Sequence, residues 1–168
     1  MSLVVWRIVN GLYSKEMFGG EGSYLYGGRW NSKGVRVVYT SQNLSLAALE
    51  LLVHLNPTEV NNYFVCACAE IPKDIKIEAI DHSLTSYSSN ELKEIGDLWV
   101  NSQTSAVLSV SSAVIPEEKN YLLNPNHPEF QRIIFNQPQE FKLDPRLVKK
   151  QPSWMTQLIG KLKARLSI

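Results

Sequence analysis

Three side chains that could act together on a charged substrate lie in one stretch of the chain, from Gly27 to His54. Arg29 ends a glycine-containing loop, Tyr39 ends a short apolar segment, and Glu50 lies within a run of apolar residues. A guanidinium binds phosphate or carboxylate through parallel hydrogen bonds, and an aromatic ring stacks on flat groups. A carboxylate stabilises positive charge that develops during a reaction. The stretch therefore brings one cation, one phenol and one carboxylate into a single loop–strand–helix unit.

The apolar residues around Glu50 predict a helix over residues 44–55, with Ser41 as its N-cap. Helices that are apolar on all sides are usually buried, and a buried carboxylate is costly unless a cation or strong donors receive it. We therefore expect Arg29 to lie near Glu50. An alternative stays open: Glu50 and His54 share a helical face, which could be a narrow solvent-exposed stripe.

The rest of the chain mixes the two-residue period of strands with helical segments. Residues 13–28 contain five glycines and little regular pattern, which predicts a loop. Strands outnumber helices, which favours an α+β fold. Strands are predicted at 3–9, 35–40, 62–71, 75–80, 106–115 and 140–143, and further helices after Asn90 and at 129–134.

Length and composition predict a single domain over residues 1–168. The chain is 44% hydrophobic and 20% charged, as is usual for a globular protein. No apolar run approaches the roughly 20 residues of a membrane span, and the N-terminus lacks the pattern of a signal peptide. We expect a cytoplasmic protein without a membrane partner.

The positive charges are concentrated in a C-terminal segment, residues 146–168. It has six basic residues and no acidic one, so residues 1–145 have 11 basic and 16 acidic residues. A basic tail could contact nucleic acid. The helical spacing of Trp154, Leu158 and Leu162 favours an amphipathic helix instead, and no direct nucleic-acid partner is expected.

Several familiar sites are not predicted. The glycines do not form a dinucleotide-binding fingerprint, and no Walker loop, zinc-protease motif or nucleophile elbow is present. The three histidines, His54, His82 and His127, lie far apart without the spacing of metal ligands. We interpret them as structural or surface residues and expect neither a metal nor a bound cofactor.

Several blocks resemble the RES-domain family, the toxins of bacterial RES–Xre toxin–antitoxin pairs, named after an arginine, a glutamate and a serine. Tyr-Gly-Gly-Arg-Trp-Asn-Ser-Lys-Gly is followed by Val-Val-Tyr-Thr-Ser and then by Ala-Leu-Glu-Leu-Leu-Val-His-Leu. Leu-Val-Val-Trp-Arg-Ile near the start, and Ser-Ser-Ala-Val-Ile-Pro-Glu-Glu and Asn-Tyr-Leu-Leu-Asn-Pro-Asn-His-Pro-Glu-Phe later, also fit. The resemblance implies an ADP-ribosyltransferase-like fold, with two packed β-sheets and flanking helices around an NAD cleft.

The same resemblance implies roles for individual residues in cleaving NAD+, which would be a substrate rather than a cofactor. Glu50 would stabilise the cation that forms at the ribose carbon, and Arg29 would bind the pyrophosphate. Tyr39 would stack on the nicotinamide and orient it through its phenol. Ser112 matches the family serine better than Ser111, and would bond to the ribose or the amide.

Two further points stay open at this stage. Arg7 on the first strand is a rival for the phosphate role and ranks below Arg29. The ADP-ribose acceptor could be water, phosphate or a protein, so the chain could be an NAD-depleting toxin or a protein ADP-ribosyltransferase. A non-catalytic or nucleic-acid-binding module is a third possibility, which the acidic balance of residues 1–145 argues against.

The resemblance also implies an Xre-type helix-turn-helix antitoxin, and a homodimer or higher toxin–antitoxin oligomer.

Overall fold

A computed structural model describes residues 2–55, 63–80 and 87–147 of the chain. The longer elements are β1 (Leu3–Asn10), α1 (Glu21–Tyr26), β2 (Val38–Ser41), α2 (Leu44–His54), β3 (Phe64–Ile71), β4 (Ile77–Ile80), α3 (Ser89–Ser102), β5 (Val107–Ser111), β6 (Lys119–Leu123), β7 (Ile134–Phe135) and β8 (Gln139–Phe141). Short 3-10 helices lie at Gly11–Glu16, Pro128–Arg132 and Pro145–Leu147. The predicted α+β class is confirmed.

The eight described strands form one sheet in the order β4-β5-β6-β2-β1-β3-β7, with β8 also pairing with β3. β1 pairs with β3 along the whole of both strands, whereas β1 and β2 pair through Trp6 and Ser41. The implied fold of two separate packed sheets is therefore corrected. The short β1–β2 pairing joins the two halves into a continuous sheet.

Apolar side chains cover both faces of this sheet. Val107 and Leu108 are successive residues of β5 and belong to different apolar clusters, and Leu122 and Leu123 of β6 alternate in the same way. Successive side chains of a strand point to opposite faces, so a run of apolar residues fills two cores. One core includes Val5, Val38, Ala69 and Ile71, and the other includes Trp30, Leu92, Trp99 and Val100.

Two segments differ from the sequence-based expectations. Residues 13–28, predicted as a loop, contain α1 and most of a 3-10 helix, and β6 was not predicted at all. The N-cap of α2 is Asn43, whose side chain accepts a hydrogen bond from the Leu46 N–H, so the assignment of Ser41 was wrong. Ser41 instead ends β2 and pairs with β1 and β6.

Helix α2 is also less buried than its composition predicts. Leu46 and Ala47 are buried, but Leu49 is 38% and Val53 is 58% exposed. One face of α2 therefore packs on the domain and the opposite apolar face is open. Glu50 lies at an intermediate position between them.

Part of the sequence-based interpretation falls outside the described residues. The predicted C-terminal helix lies beyond residue 147, and His82 lies in the segment 81–86. Within the described ranges, no helix is long and apolar enough to cross a membrane.

Close packing of α3 against a neighbouring loop gives a first testable prediction. A Cβ added to Gly96 would lie 1.8 Å from the Trp30 carbonyl oxygen, so Gly96→Ala should force the helix and the loop apart. We expect a loss of about 1–3 kcal/mol in the free energy of unfolding, measured by thermal or denaturant unfolding. Gly22→Ala is the matched control, because a Cβ at that helical position meets nothing within 4 Å. Equal melting temperatures for Gly96→Ala and wild type would contradict this packing argument.

Candidate active site

A cavity of about 1000 Å³ lies where the two halves of the sheet meet. This volume is at the upper end of the range for small-molecule sites, roughly 300–1,000 Å³. Its walls come from β1, α1 and the loop after it, β2, α2, β5 and β6. Arg29, Tyr39 and Glu50, which the sequence singled out, all line this cavity, and so does Arg7.

Glu50 is held by two hydrogen bonds that converge on one carboxylate oxygen. Its Oε1 accepts from the Ser112 hydroxyl at 2.7 Å and from the Asn120 amide at 2.6 Å. Asn120 is fixed in turn because its Oδ1 accepts from the Ser41 hydroxyl at 2.8 Å. Glu50 Oε2 accepts no hydrogen bond from the described residues. The carboxylate is thus oriented through one oxygen, and no described residue occupies the other. These two hydrogen bonds argue against the alternative in which Glu50 belongs to a solvent-exposed stripe.

Ser112 forms a hydrogen bond with Glu50 but does not line the cavity. Its hydroxyl donates to Glu50 and accepts from the backbone N–H groups of Val114 and Ile115, each at 3.0 Å. The residue is 1% exposed and is not among those that line the cavity. A hydroxyl has one proton to donate, and Glu50 receives it. The geometry therefore favours a positioning role over the predicted contact with substrate.

Ser111 lines the cavity, but its hydroxyl is engaged elsewhere. The Lys119 ammonium donates to Ser111 Oγ at 3.2 Å, and the two residues are paired across β5 and β6. Of the two serines that the sequence left open, Ser112 is the one in contact with Glu50.

The loop that carries Arg29, residues 27–31, has a fixed backbone; we call it the Arg29 loop. Gly27 has φ 73°, a left-handed conformation that glycine adopts without strain. At Gly28 a Cβ would lie 2.4 Å from the Tyr39 hydroxyl oxygen. The glycine pair is therefore needed for the turn and for the close approach of the loop to Tyr39.

Asn31 ties the same loop to its surroundings. The side chain is fully buried, and its amide donates to the carbonyl groups of Ser23, Ser32 and Val35. Its Oδ1 accepts from the Tyr39 hydroxyl at 2.7 Å. The hydrogen-bonding capacity of this buried amide is thus satisfied within the loop and its neighbours.

Tyr39 uses its phenol to anchor the loop. The hydroxyl donates to Asn31 and accepts from the Trp30 N–H at 3.0 Å. Burial raises the pKa of Tyr39 to about 12, and the negative charge of Asp97 acts in the same direction. The phenol is therefore neutral at physiological pH. Tyr39 lines the cavity, but its proton is already donated to Asn31, which argues against the predicted orienting hydrogen bond; the predicted stacking stays a prediction.

Arg29 projects from this rigid loop. It lines the cavity and is exposed, and it makes no hydrogen bond or ion pair with the part of the chain that the structure describes. Its guanidinium fork is free to bind an anion.

Arg7 is the more deeply placed cation. Its Nη1 donates to the Tyr39 carbonyl at 2.7 Å, while its Nε is buried without a hydrogen-bond partner among the described residues. Burial lowers the pKa of Arg7 to about 10, so the group is still charged at pH 7. No described carboxylate forms an ion pair with it. A buried cation with an unsatisfied N–H is the arrangement expected of an anion site, which the sequence had ranked second.

Two cavity residues were not predicted as functional. Asn120 lies on β6, which the sequence reading missed, although its Asn-Tyr-Leu-Leu-Asn-Pro segment was part of the family resemblance. His54, interpreted as structural or surface, lines the cavity one helical turn after Glu50. The described residues hold no cluster of three or more potential metal ligands.

Comparison with known proteins gives consistent results. A sequence model of the RES domain family matches residues 4–144. The chain is 36% identical over 151 residues to a Yersinia enterocolitica protein named "Toxin Res", covering 86% of this chain and 99% of that one. It is 32% identical over 162 residues to a Sphingobium protein named "Prs ADP-ribosylating toxin", covering 89% and 99%. A toxin–antitoxin complex of M. tuberculosis, MbcT–MbcA, contains a similar fold, with TM-score 0.64, 12% identity and coverage of 88% and 87%.

Proposed function

Because the chain belongs to the RES domain family, we propose that it is the toxin of a toxin–antitoxin pair and cleaves the nicotinamide–ribose bond of NAD+. The names of its relatives support the toxin role, and one of them is an ADP-ribosylating toxin. The observation that carries the enzymatic part is Glu50 Oε2, which accepts no hydrogen bond from the described residues, in a cavity that also holds two guanidinium groups without an ion-pair partner among those residues.

Glu50 would act on the ribose. Loss of nicotinamide leaves positive charge on the ribose carbon and ring oxygen. The two bonds to Oε1 hold the carboxylate in place before the reaction, and Oε2 can bond a ribose hydroxyl and stabilise that charge. Ser112 and Asn120 are positioning residues in this scheme. Nicotinamide departs neutral, so the reaction needs no general acid.

Arg7 and Arg29 would bind the pyrophosphate. Within the part of the chain that the structure describes, Arg7 offers a buried N–H without a partner, and Arg29 offers a guanidinium without a hydrogen bond or ion pair at the exposed side of the cavity. Two cations match the two negative charges of the pyrophosphate. Tyr39, which lines the same cavity, would stack on the nicotinamide.

The direct test is to incubate the purified protein with NAD+ and to measure nicotinamide release with and without inorganic phosphate. Free ADP-ribose would identify hydrolysis, ADP-ribose 1-phosphate would identify phosphorolysis, and labelled protein would identify transfer to a target. The name of the Sphingobium relative favours the last as the second candidate function. No nicotinamide release under any of these conditions, including with target protein present, would reject the proposal.

Arg29→Lys should weaken NAD+ binding, because a point charge cannot reproduce the bidentate contact of a guanidinium. We expect KM for NAD+ to rise about 10-fold, equivalent to roughly 1.4 kcal/mol, with a smaller effect on kcat. Arg132→Lys is the matched control, because Arg132 is an ion-paired surface residue outside the cavity wall. An unchanged KM would assign the phosphate role to Arg7 alone.

The proposed partner is an Xre-type helix-turn-helix antitoxin, which would block the cavity. The structural neighbour is itself a toxin in complex with an antitoxin. Copurification with the adjacently encoded antitoxin, and inhibition of nicotinamide release by it, would test this assignment. Because NAD+ would be drawn from the general pool of the cell, the proposed location is the cytoplasm. A homodimer or a larger toxin–antitoxin oligomer stays a prediction.

A further inference from the structure

His54 is an ionisable residue of the cavity wall that the scheme above does not use. It is the last residue of α2 and follows Glu50 by four positions, so the two side chains share a helical face. Both line the cavity, but Glu50 is half-buried whereas His54 is exposed. His54 makes no hydrogen bond or ion pair with the residues that the structure describes. It therefore lies on the solvent side of Glu50 with its ring nitrogens available.

Hydrolysis of the ribose bond requires a group that can remove a proton. Nicotinamide leaves with the bonding electrons, a water oxygen bonds to the ribose carbon, and one water proton must be accepted. In the proposed scheme, Ser112 and Asn120 hold Glu50 Oε1, and Oε2 contacts the ribose. The pKa of about 12 makes the Tyr39 phenol an acid that stays protonated, and Arg7 and Arg29 carry positive charge. Among the described residues of the cavity wall, His54 is the remaining side chain with a nitrogen that can accept a proton from water.

We propose that His54 is the base on the acceptor side of this site, which rests on the proposed NAD+ cleavage. Water entering from solvent would be hydrogen-bonded to an imidazole nitrogen of His54. As the water oxygen bonds to the ribose carbon, its proton passes to His54 and then to solvent. The products are nicotinamide, ADP-ribose and one proton, which balances the reaction. In this proposal the acceptor of the ADP-ribose is a neutral hydroxyl compound, which must lose a proton to His54. An anionic acceptor has no such proton and would not need this base.

The test compares wild type with His54→Gln, using azide as an anionic acceptor that needs no deprotonation. We expect the rate of NAD+ hydrolysis to fall about 100-fold in His54→Gln, the lower end of what general bases contribute, with KM for NAD+ unchanged. Added sodium azide should restore nicotinamide release in this variant and give ADP-ribosyl azide, detected by mass spectrometry. Wild type should gain little from azide.

His127→Gln is the matched control, because His127 lies outside the cavity wall and should leave hydrolysis unchanged. Equal hydrolysis rates for wild type and His54→Gln would overturn the role of His54. A slow variant that azide does not rescue would do the same, because a general structural defect would slow both acceptors. These results leave NAD+ cleavage itself intact. If wild type releases no nicotinamide, the proposed function fails first and the assignment of His54 fails with it.

Discussion

Glu50→Gln should lower the rate of nicotinamide release by about 100-fold or more, the effect of removing one electrostatic contact to a transition state. Glutamine keeps the shape of the side chain, and its carbonyl oxygen can still accept from Ser112 and Asn120, which hold Glu50 Oε1. What is lost is the negative charge beside the ribose. Because the amide fits the same contacts, we expect NAD+ binding and the melting temperature to change little.

Glu94→Gln is the control for this substitution. Glu94 is an exposed glutamate of α3 outside the cavity wall, so the same change of charge there should leave the rate unaltered. Single-turnover measurements would place the Glu50→Gln defect in the chemical step rather than in product release. Wild-type rates for Glu50→Gln would remove the carboxylate from the mechanism, whatever the family membership of the chain.

The hydrogen bonds around Glu50 also indicate which parts of the fold orient its carboxylate. Ser41 and Asn120 belong to β2 and β6, and Ser112 directly follows β5, so three neighbouring strands must be in register before the carboxylate is oriented. Ser41 and Asn120 are cross-strand partners, which places their side chains on one face of the sheet. The site is therefore assembled by non-local pairing, while the residue that it orients lies on a helix.

The sequence predicted the local parts of this arrangement well. The glycine pair before Arg29 and the apolar run around Glu50 each depend on neighbouring residues. The apolar run gave the expected helix, and the glycine pair lies in a loop, although most of the preceding residues predicted as loop are helical. The mixture of the two-residue period of strands with helical segments predicted the α+β class. The family resemblance, rather than spacing, assigned Glu50, Arg29 and Tyr39 to one site, and all three line the cavity.

What the sequence could not supply depends on tertiary contacts. β6 mixes polar and apolar residues, so Asn120 became visible only through its pairing with β2. The exposure of Leu49 and Val53 shows that an apolar helix need not be buried on every side. Residue spacing also could not reveal that the Tyr39 hydroxyl donates its proton to Asn31 of the Arg29 loop. The sequence ranked Arg7 below Arg29, and it could not show that the buried Arg7 Nε has no hydrogen-bond partner among the described residues, because that depends on where its neighbours lie.

Arg7→Gln gives the second large effect, because Arg7 combines a buried charge with an unsatisfied donor. Glutamine keeps a polar side chain that ends near the position of Arg7 Nε, gives up the hydrogen bond from Nη1 to the Tyr39 carbonyl and removes the positive charge from the cavity. We expect Kd for NAD+, measured by calorimetry, to rise about 100-fold, the effect of truncating one partner of a buried charge pair.

The same substitution should leave the free energy of unfolding unchanged within about 1 kcal/mol, or raise it. Burying a cation without a carboxylate partner costs free energy in the unliganded protein, and that cost disappears with the charge. Arg36→Gln is the control, because Arg36 is a surface residue paired with Glu21 outside the cavity wall and should leave the Kd unaltered. A structural role for Arg7 predicts the opposite pattern, with stability lost and NAD+ affinity retained. Measuring both the free energy of unfolding and the Kd for NAD+ of Arg7→Gln therefore separates a structural role of Arg7 from a role in anion binding.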